Sequence, residues 1–154
     1  MGSPLQSEQI CVLDNNSRLS AVFSKYCKNC PGRGYDNVKS RTFKSNQRKK
    51  VIIQDDGFSL AGYPASDSMC IGMWGNRDQF KDPETSVCQD NQFFFLVTSQ
   101  DGWNWSAQAT LDSKINAVCG LGYEKATPDA EGWLAKAVYT GDISKNVYSV
   151  QFVP

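Results

Sequence analysis

Six cysteines, Cys11, Cys27, Cys30, Cys70, Cys88 and Cys119, stand in a chain of 154 residues that contains no histidine. An even cysteine count in a short chain reads as a disulfide framework, here three bridges formed in an oxidising compartment. The missing histidine removes the commonest general base and the commonest metal ligand. A Ser–His–Asp or Cys–His arrangement is therefore impossible. Zinc would need a second CxxC or histidines at suitable spacing, and neither exists. The expected molecule is secreted and stapled, acts by binding rather than catalysis, and uses no metal and no cofactor.

Cys27-x-x-Cys30 invites a thioredoxin-like redox reading. Redox pairs sit at a helix N-terminus, where the dipole lowers the thiol pKa. Here the pair follows a predicted helix and precedes Pro31-Gly32, so a structural role is expected for both. The pairing itself cannot be read from spacing. Separate partners for Cys27 and Cys30 would tie that helix to two parts of the sheet.

The length suits one domain burying roughly 68–70% of its unfolded surface. Sixteen Lys and Arg balance sixteen Asp and Glu, with a pI near 6.2, so no global attraction to nucleic acid is expected. The longest apolar stretch, Phe93 to Val97, is strand-sized and far short of the ~20 residues of a membrane helix; membrane insertion is not expected. Met1-Gly2-Ser3 opens onto polar residues without the charged and apolar regions of a signal peptide. The chain then reads as a mature form with an expression scar, residues 1–10 being flexible and 11–154 one disulfide-stapled β domain.

Leu19, Val22, Phe23 and Tyr26 recur at three- and four-residue spacing, which predicts a short N-terminal helix over Asn16 to Tyr26, capped by Asn16 or Ser17. The rest reads as β structure. Val51-Ile52-Ile53, Asp55-Asp56-Gly57 and Phe58-Ser59-Leu60 form a hairpin signature, and Met69 to Trp74 a short apolar segment. Gln92 to Thr98 is apolar on both faces, as a covered central strand would be. A turn at Ser99 to Gly102 and an alternating return strand from Trp103 to Leu111 should follow. Leu134 to Tyr139 and Val147 to Val153 complete the strands. The expected fold is mainly β, a small antiparallel barrel or sandwich with one short N-terminal helix and three disulfides.

Two sequons, Asn15-Asn16-Ser17 and Asn104-Trp105-Ser106, make Asn15 and Asn104 glycosylation candidates. The run Arg41 to Lys50 gathers Arg41, Lys44, Arg48, Lys49 and Lys50, offset by Asp78, Asp82 and Glu84. Such segregated charge can steer a protein partner. Trp74 and Trp133, each beside a glycine, are candidates for an exposed sugar-stacking platform, whereas Trp103 and Trp105 suit the core. Paired carboxylates could hydrolyse glycosides, but Asp55-Asp56, Asp78, Asp101 and Asp142 lie in turn-like segments, where Asp serves turn chemistry.

The cysteine framework, the length and the β-rich patterning resemble those of small secreted cysteine-rich fungal effectors, most of all the six-cysteine β-barrel necrotrophic effectors that act as host-selective toxins. The resemblance covers the layout of the chain and carries no residue-by-residue motif. It implies a monomeric, non-enzymatic, extracellular protein that binds a host protein and triggers cell death or suppresses defence. Loops on a rigid scaffold concentrate binding residues, so Arg41, Lys44, Arg48, Lys49, Trp74 and Arg77 are the expected partner-binding residues. A carbohydrate-binding module or lectin is the alternative, and a carboxylate-dependent hydrolase the second.

Overall fold

The computed structural model describes residues 1–3, 6, 10–30, 34–45, 50–55, 57–72, 86–102, 115–127, 130–145 and 147. Among these residues seven strands form one mixed sheet: β1 (Ile10–Asp14), β2 (Ala21–Lys28), β3 (Lys44–Ser45), β4 (Val51–Asp55), β5 (Phe58–Gly72), β6 (Ser86–Asp101) and β7 (Ile115–Gly120). Their order is β1-β7-β2-β6-β5-β3, with β4 also pairing β5. A helix, α1 (Trp133–Thr140), follows the last strand.

The expected mainly β fold is present, but the sheet is not purely antiparallel, because β1 runs parallel to β7 and β2 parallel to β6. Among the described residues the terminal strands β1 and β3 do not pair with each other. Strand β6 is the centre expected from its two-sided apolar run. Phe94 and Leu96 enter one core with Val22, Tyr35, Ala65 and Trp133, while Phe95 and Val97 enter another with Phe23, Leu60 and Val118. Each such buried side chain contributes about 1.5–3 kcal/mol of transfer free energy. The hairpin at Val51 to Leu60 also forms, with Asp55 opposite Phe58 and Gly57 at φ +82°.

The α-helix among the described residues lies at the other end of the chain from the one expected. Residues 21–28, which overlap the second half of the predicted helix, form β2 between β6 and β7. Ala21, Val22, Phe23 and Ser24 are all buried while Tyr26 is 63% exposed. Consecutive burial is what a strand covered on both faces produces, and a helical stripe would have buried Tyr26. Conversely, the strand expected at Leu134 to Tyr139 is α1. Trp133, Ala135 and Ala137 are the buried residues of this helix. Gly141, in the left-handed region at φ +85°, ends α1 by donating its N–H to the Ala137 and Val138 carbonyls. Gln92 donates to the Glu131 carbonyl at 2.7 Å and Gln89 to Thr140 Oγ1 at 3.1 Å, so two buried amides of β6 clamp both ends of the helix.

The turn expected at Ser99 to Gly102 begins later, since Ser99, Gln100 and Asp101 continue β6 by pairing with Ala61, Leu60 and Ser59. The predicted strands at 103–111 and 148–153 lie outside the described residues. Cys11 bonds Cys119 and ties β1 to β7, Cys70 bonds Cys88 across β5 and β6, and Cys27 bonds Cys30 at the end of β2. The last two therefore join one another rather than two parts of the sheet.

Gly62 allows β5 to approach β6. A Cβ there would lie 2.0 Å from the Leu96 carbonyl oxygen, a backbone atom that cannot swing aside. Gly62→Ala should thus lower stability by about 1–3 kcal/mol, as overpacking does. Chemical denaturation measures it, and an unchanged midpoint would show that the strands part freely.

Candidate functional site

The best-defined surface feature is the loop from Tyr35 to Ser45, and a buried carboxylate organises it. Asp67 on β5 is 0% exposed. Its Oδ1 accepts from Ser40 Oγ at 3.0 Å, from the Ser68 N–H at 2.8 Å and from Thr42 Oγ1. Its Oδ2 accepts from the Tyr35 hydroxyl. A carboxylate is costly to bury unless hydrogen bonds satisfy it, and the donors on Tyr35, Ser40 and Thr42 all come from this loop.

Aromatic packing adds a second anchor. The Tyr35 ring meets Phe94 edge-on at 6.2 Å and lies 6.3 Å from Phe43. Tyr35 also extends the sheet, donating its N–H to the Phe23 carbonyl at 2.7 Å and accepting from the Lys25 N–H at 2.9 Å. Lys25 Nζ lies 2.7 Å from Asp36 Oδ2 and Lys39 Nζ 3.8 Å from it. The hydrogen bond from Lys25 holds the Asp36 carboxyl below its ordinary range.

What the loop shows to solvent is basic with an apolar tip. Val38 is 75% exposed, the Lys39 side chain 73% exposed, and Arg41 and Lys44 are exposed. Lys44 donates to Asn91 Oδ1 at 2.8 Å, and Lys136 of α1 donates to the Asn91 carbonyl at 3.1 Å. Asn91, at φ +55° in a bulge of β6, thus draws two ammonium groups together. Of the sequence-predicted binding residues, Arg41 and Lys44 meet on this surface. Arg48, Lys49, Trp74 and Arg77 lie outside the described residues, as does Asn104. Sequence reasoning missed Val38, Lys39, Lys136 and the organising Asp67. None of the four lies in the basic run Arg41 to Lys50, the signal that marked this surface.

No protein-family model matches this chain, and no curated protein matches it.

Trp133, expected as an exposed sugar platform, is only 6% exposed and belongs to the core, because α1 turns it against β6. A shallow depression of about 330 Å³ lies at the hairpin tips, lined by Gln54, Gly57, Phe58, Ser59, Asp101 and Gly102. Glu124 and Glu131 both approach Arg18, at 4.0 and 3.5 Å. Glu124 also accepts the Gly132 N–H at 2.7 Å at the start of α1, a helix-starting role. Among the described residues no three His, Cys, Asp or Glu side chains gather as a metal site, and no helix is long and apolar enough to cross a membrane. Three disulfides fit an oxidising, extracellular environment.

Burial, and then the hydrogen bond to Asp67, raise the Tyr35 phenol well above its ordinary value, which is about 10. The folded protein keeps a proton that the unfolded chain releases. That stabilisation is complete below pH of about 10 and is lost as pH rises above it. Unfolding midpoints followed from about pH 9 to 12 should therefore fall more steeply in the native protein than in Tyr35→Phe. Parallel curves would mean that the phenol is not held.

Proposed function

We propose that this chain is a secreted effector or toxin that acts without catalysis, binding a host protein through the surface of the Tyr35–Ser45 loop. The observation that carries the reading is the exposed Val38 flanked by Lys39, Arg41 and Lys44 on a loop whose underside is fixed. A pre-ordered loop loses little conformational entropy on binding. The partner it fits has an acidic surface with an apolar recess, since complementary charge speeds encounter and fixes register. The resemblance to necrotrophic effectors agrees with this reading.

Applying the pure oxidised protein to candidate host tissue tests it, with necrosis or weakened defence as the readout. Val38→Asp combined with Lys39→Glu, Arg41→Glu and Lys44→Glu should raise the effective dose at least tenfold, roughly 1.4 kcal/mol or more, with an unchanged unfolding midpoint. Full activity of that variant would place the contact elsewhere. A carbohydrate-binding reading draws on the depression at the hairpin tips, where Gln54, Ser59 and Asp101 offer hydroxyl-binding groups beside Phe58. Selective retention of a saccharide on a glycan array would favour it.

A further inference from the structure

The outer edge of β1 ends in a sequon. Among the described residues its strand, Ile10-Cys11-Val12-Leu13-Asp14, pairs with β7 and with no other strand. Val12 and Leu13 are 40% and 55% exposed, and Tyr123, on the segment that follows β7, is 85% exposed. An edge like this, with apolar side chains and no Lys, Arg or Pro along it, is a template for pairing with another chain. Immediately after it come Asn15-Asn16-Ser17. The Asn16 N–H bonds to Asp14 Oδ1 at 2.9 Å, an Asx turn, and Asn15 is exposed. The inner side of the turn is taken up by backbone contacts, with Leu121 N–H donating to the Asp14 carbonyl at 2.7 Å and Gly122 N–H to the Ser17 carbonyl at 2.8 Å. Asn15 takes no part in these bonds, and a group added to it starts one residue beyond the end of β1.

We propose that Asn15 is an N-glycosylation site whose glycan shields the β1 edge. The middle residue is not proline, as the acceptor motif requires. In the transfer, Asn15 Nδ2 forms a bond to the anomeric carbon of an oligosaccharide and loses a proton. The bond between that carbon and the phosphate of a polyprenyl pyrophosphate donor breaks, and the lipid pyrophosphate leaves. The inference rests on the secretory route alone and is independent of any partner bound by the Tyr35–Ser45 loop.

The test is to secrete the chain from a eukaryotic host and map its peptides before and after peptide N-glycosidase. The peptide containing Asn15 should carry glycan mass, and Asn15→Gln should abolish it irrespective of Asn104. An unmodified Asn15 peptide from folded, disulfide-intact protein overturns the site. Sedimentation then tests the shielding. The glycosylated protein should run as a monomer, and the enzymatically deglycosylated protein and Asn15→Gln should self-associate. If both remain monomeric at the same concentration, the glycan does not guard the edge. Necrosis assays play no part, so failure here leaves the effector reading standing.

Discussion

Replacing Cys11 and Cys119 together by serine is expected to lower the free energy of unfolding by about 4–5 kcal/mol. In the chain-entropy account a bridge stabilises by restricting the unfolded ensemble, about 4.7 kcal/mol for a loop of roughly 100 residues and about 3 kcal/mol for roughly 15. The three bridges here span 108, 18 and 3 residues. The paired Cys70/Cys88 change should therefore cost about 3 kcal/mol, and the Cys27/Cys30 change about 2 kcal/mol. A typical domain has only about 5–15 kcal/mol in total, so the first loss alone would bring the protein near unfolding at body temperature. Denaturant titration of the three double variants gives the ranking. If removing Cys27 and Cys30 proved the most costly, the entropic ordering would be wrong and native-state contacts would dominate.

The second large effect is expected at Asp67. Asp67→Ala removes the acceptor of four hydrogen bonds and leaves the Tyr35, Ser40 and Thr42 hydroxyls facing a void. Bonds to a charged group contribute about 1.5–3 kcal/mol each, and an orphaned buried partner costs about 1–3 kcal/mol. These terms are not additive within one network, and about 3–5 kcal/mol in total is the expected loss. Tyr35→Phe, which removes one donor and keeps the ring, should cost about 1–2 kcal/mol. The loop itself supplies a sharper readout. Trypsin should cut after Lys39 or Arg41 much faster in Asp67→Ala than in the native protein under conditions where both stay folded. Equal rates would mean that the loop holds its shape without the carboxylate, and the account of its pre-ordering would fail.

Strand β6 was legible because five consecutive apolar residues leave no polar face, which only a central covered position tolerates. The β4–β5 hairpin was legible because its turn chemistry is local. Where assignments depended on distant partners, periodicity misled. Leu19, Val22, Phe23 and Tyr26 have helical spacing, yet burial of Val22 and Phe23 on opposite faces of one sheet is decided by β6, β7 and the loop at Tyr35. At the other end, Trp133, Ala135 and Ala137 have the alternate spacing of a strand, yet Leu134 to Tyr139 is helical and Gly141 ends the helix. Arg41 and Lys44 could be named from charge alone. Asp67 could not, because in Ser66-Asp67-Ser68 nothing local separates a buried hub from a surface turn residue, and its side-chain donors lie 25–32 residues away.

The parallel pairing of β1 with β7 also bears on how the chain reaches its final state. Cys11 leaves the ribosome 108 residues before its partner, an interval on the order of ten seconds at ordinary rates of synthesis. During that time Cys27, Cys30, Cys70 and Cys88 emerge in turn as thiols within its reach. Cys70 and Cys88 can close once their own hairpin forms, whereas Cys11 must either wait or bond wrongly and be released by exchange. Yield of native protein should then be governed by isomerase activity during oxidative folding more than by the stability of the finished fold.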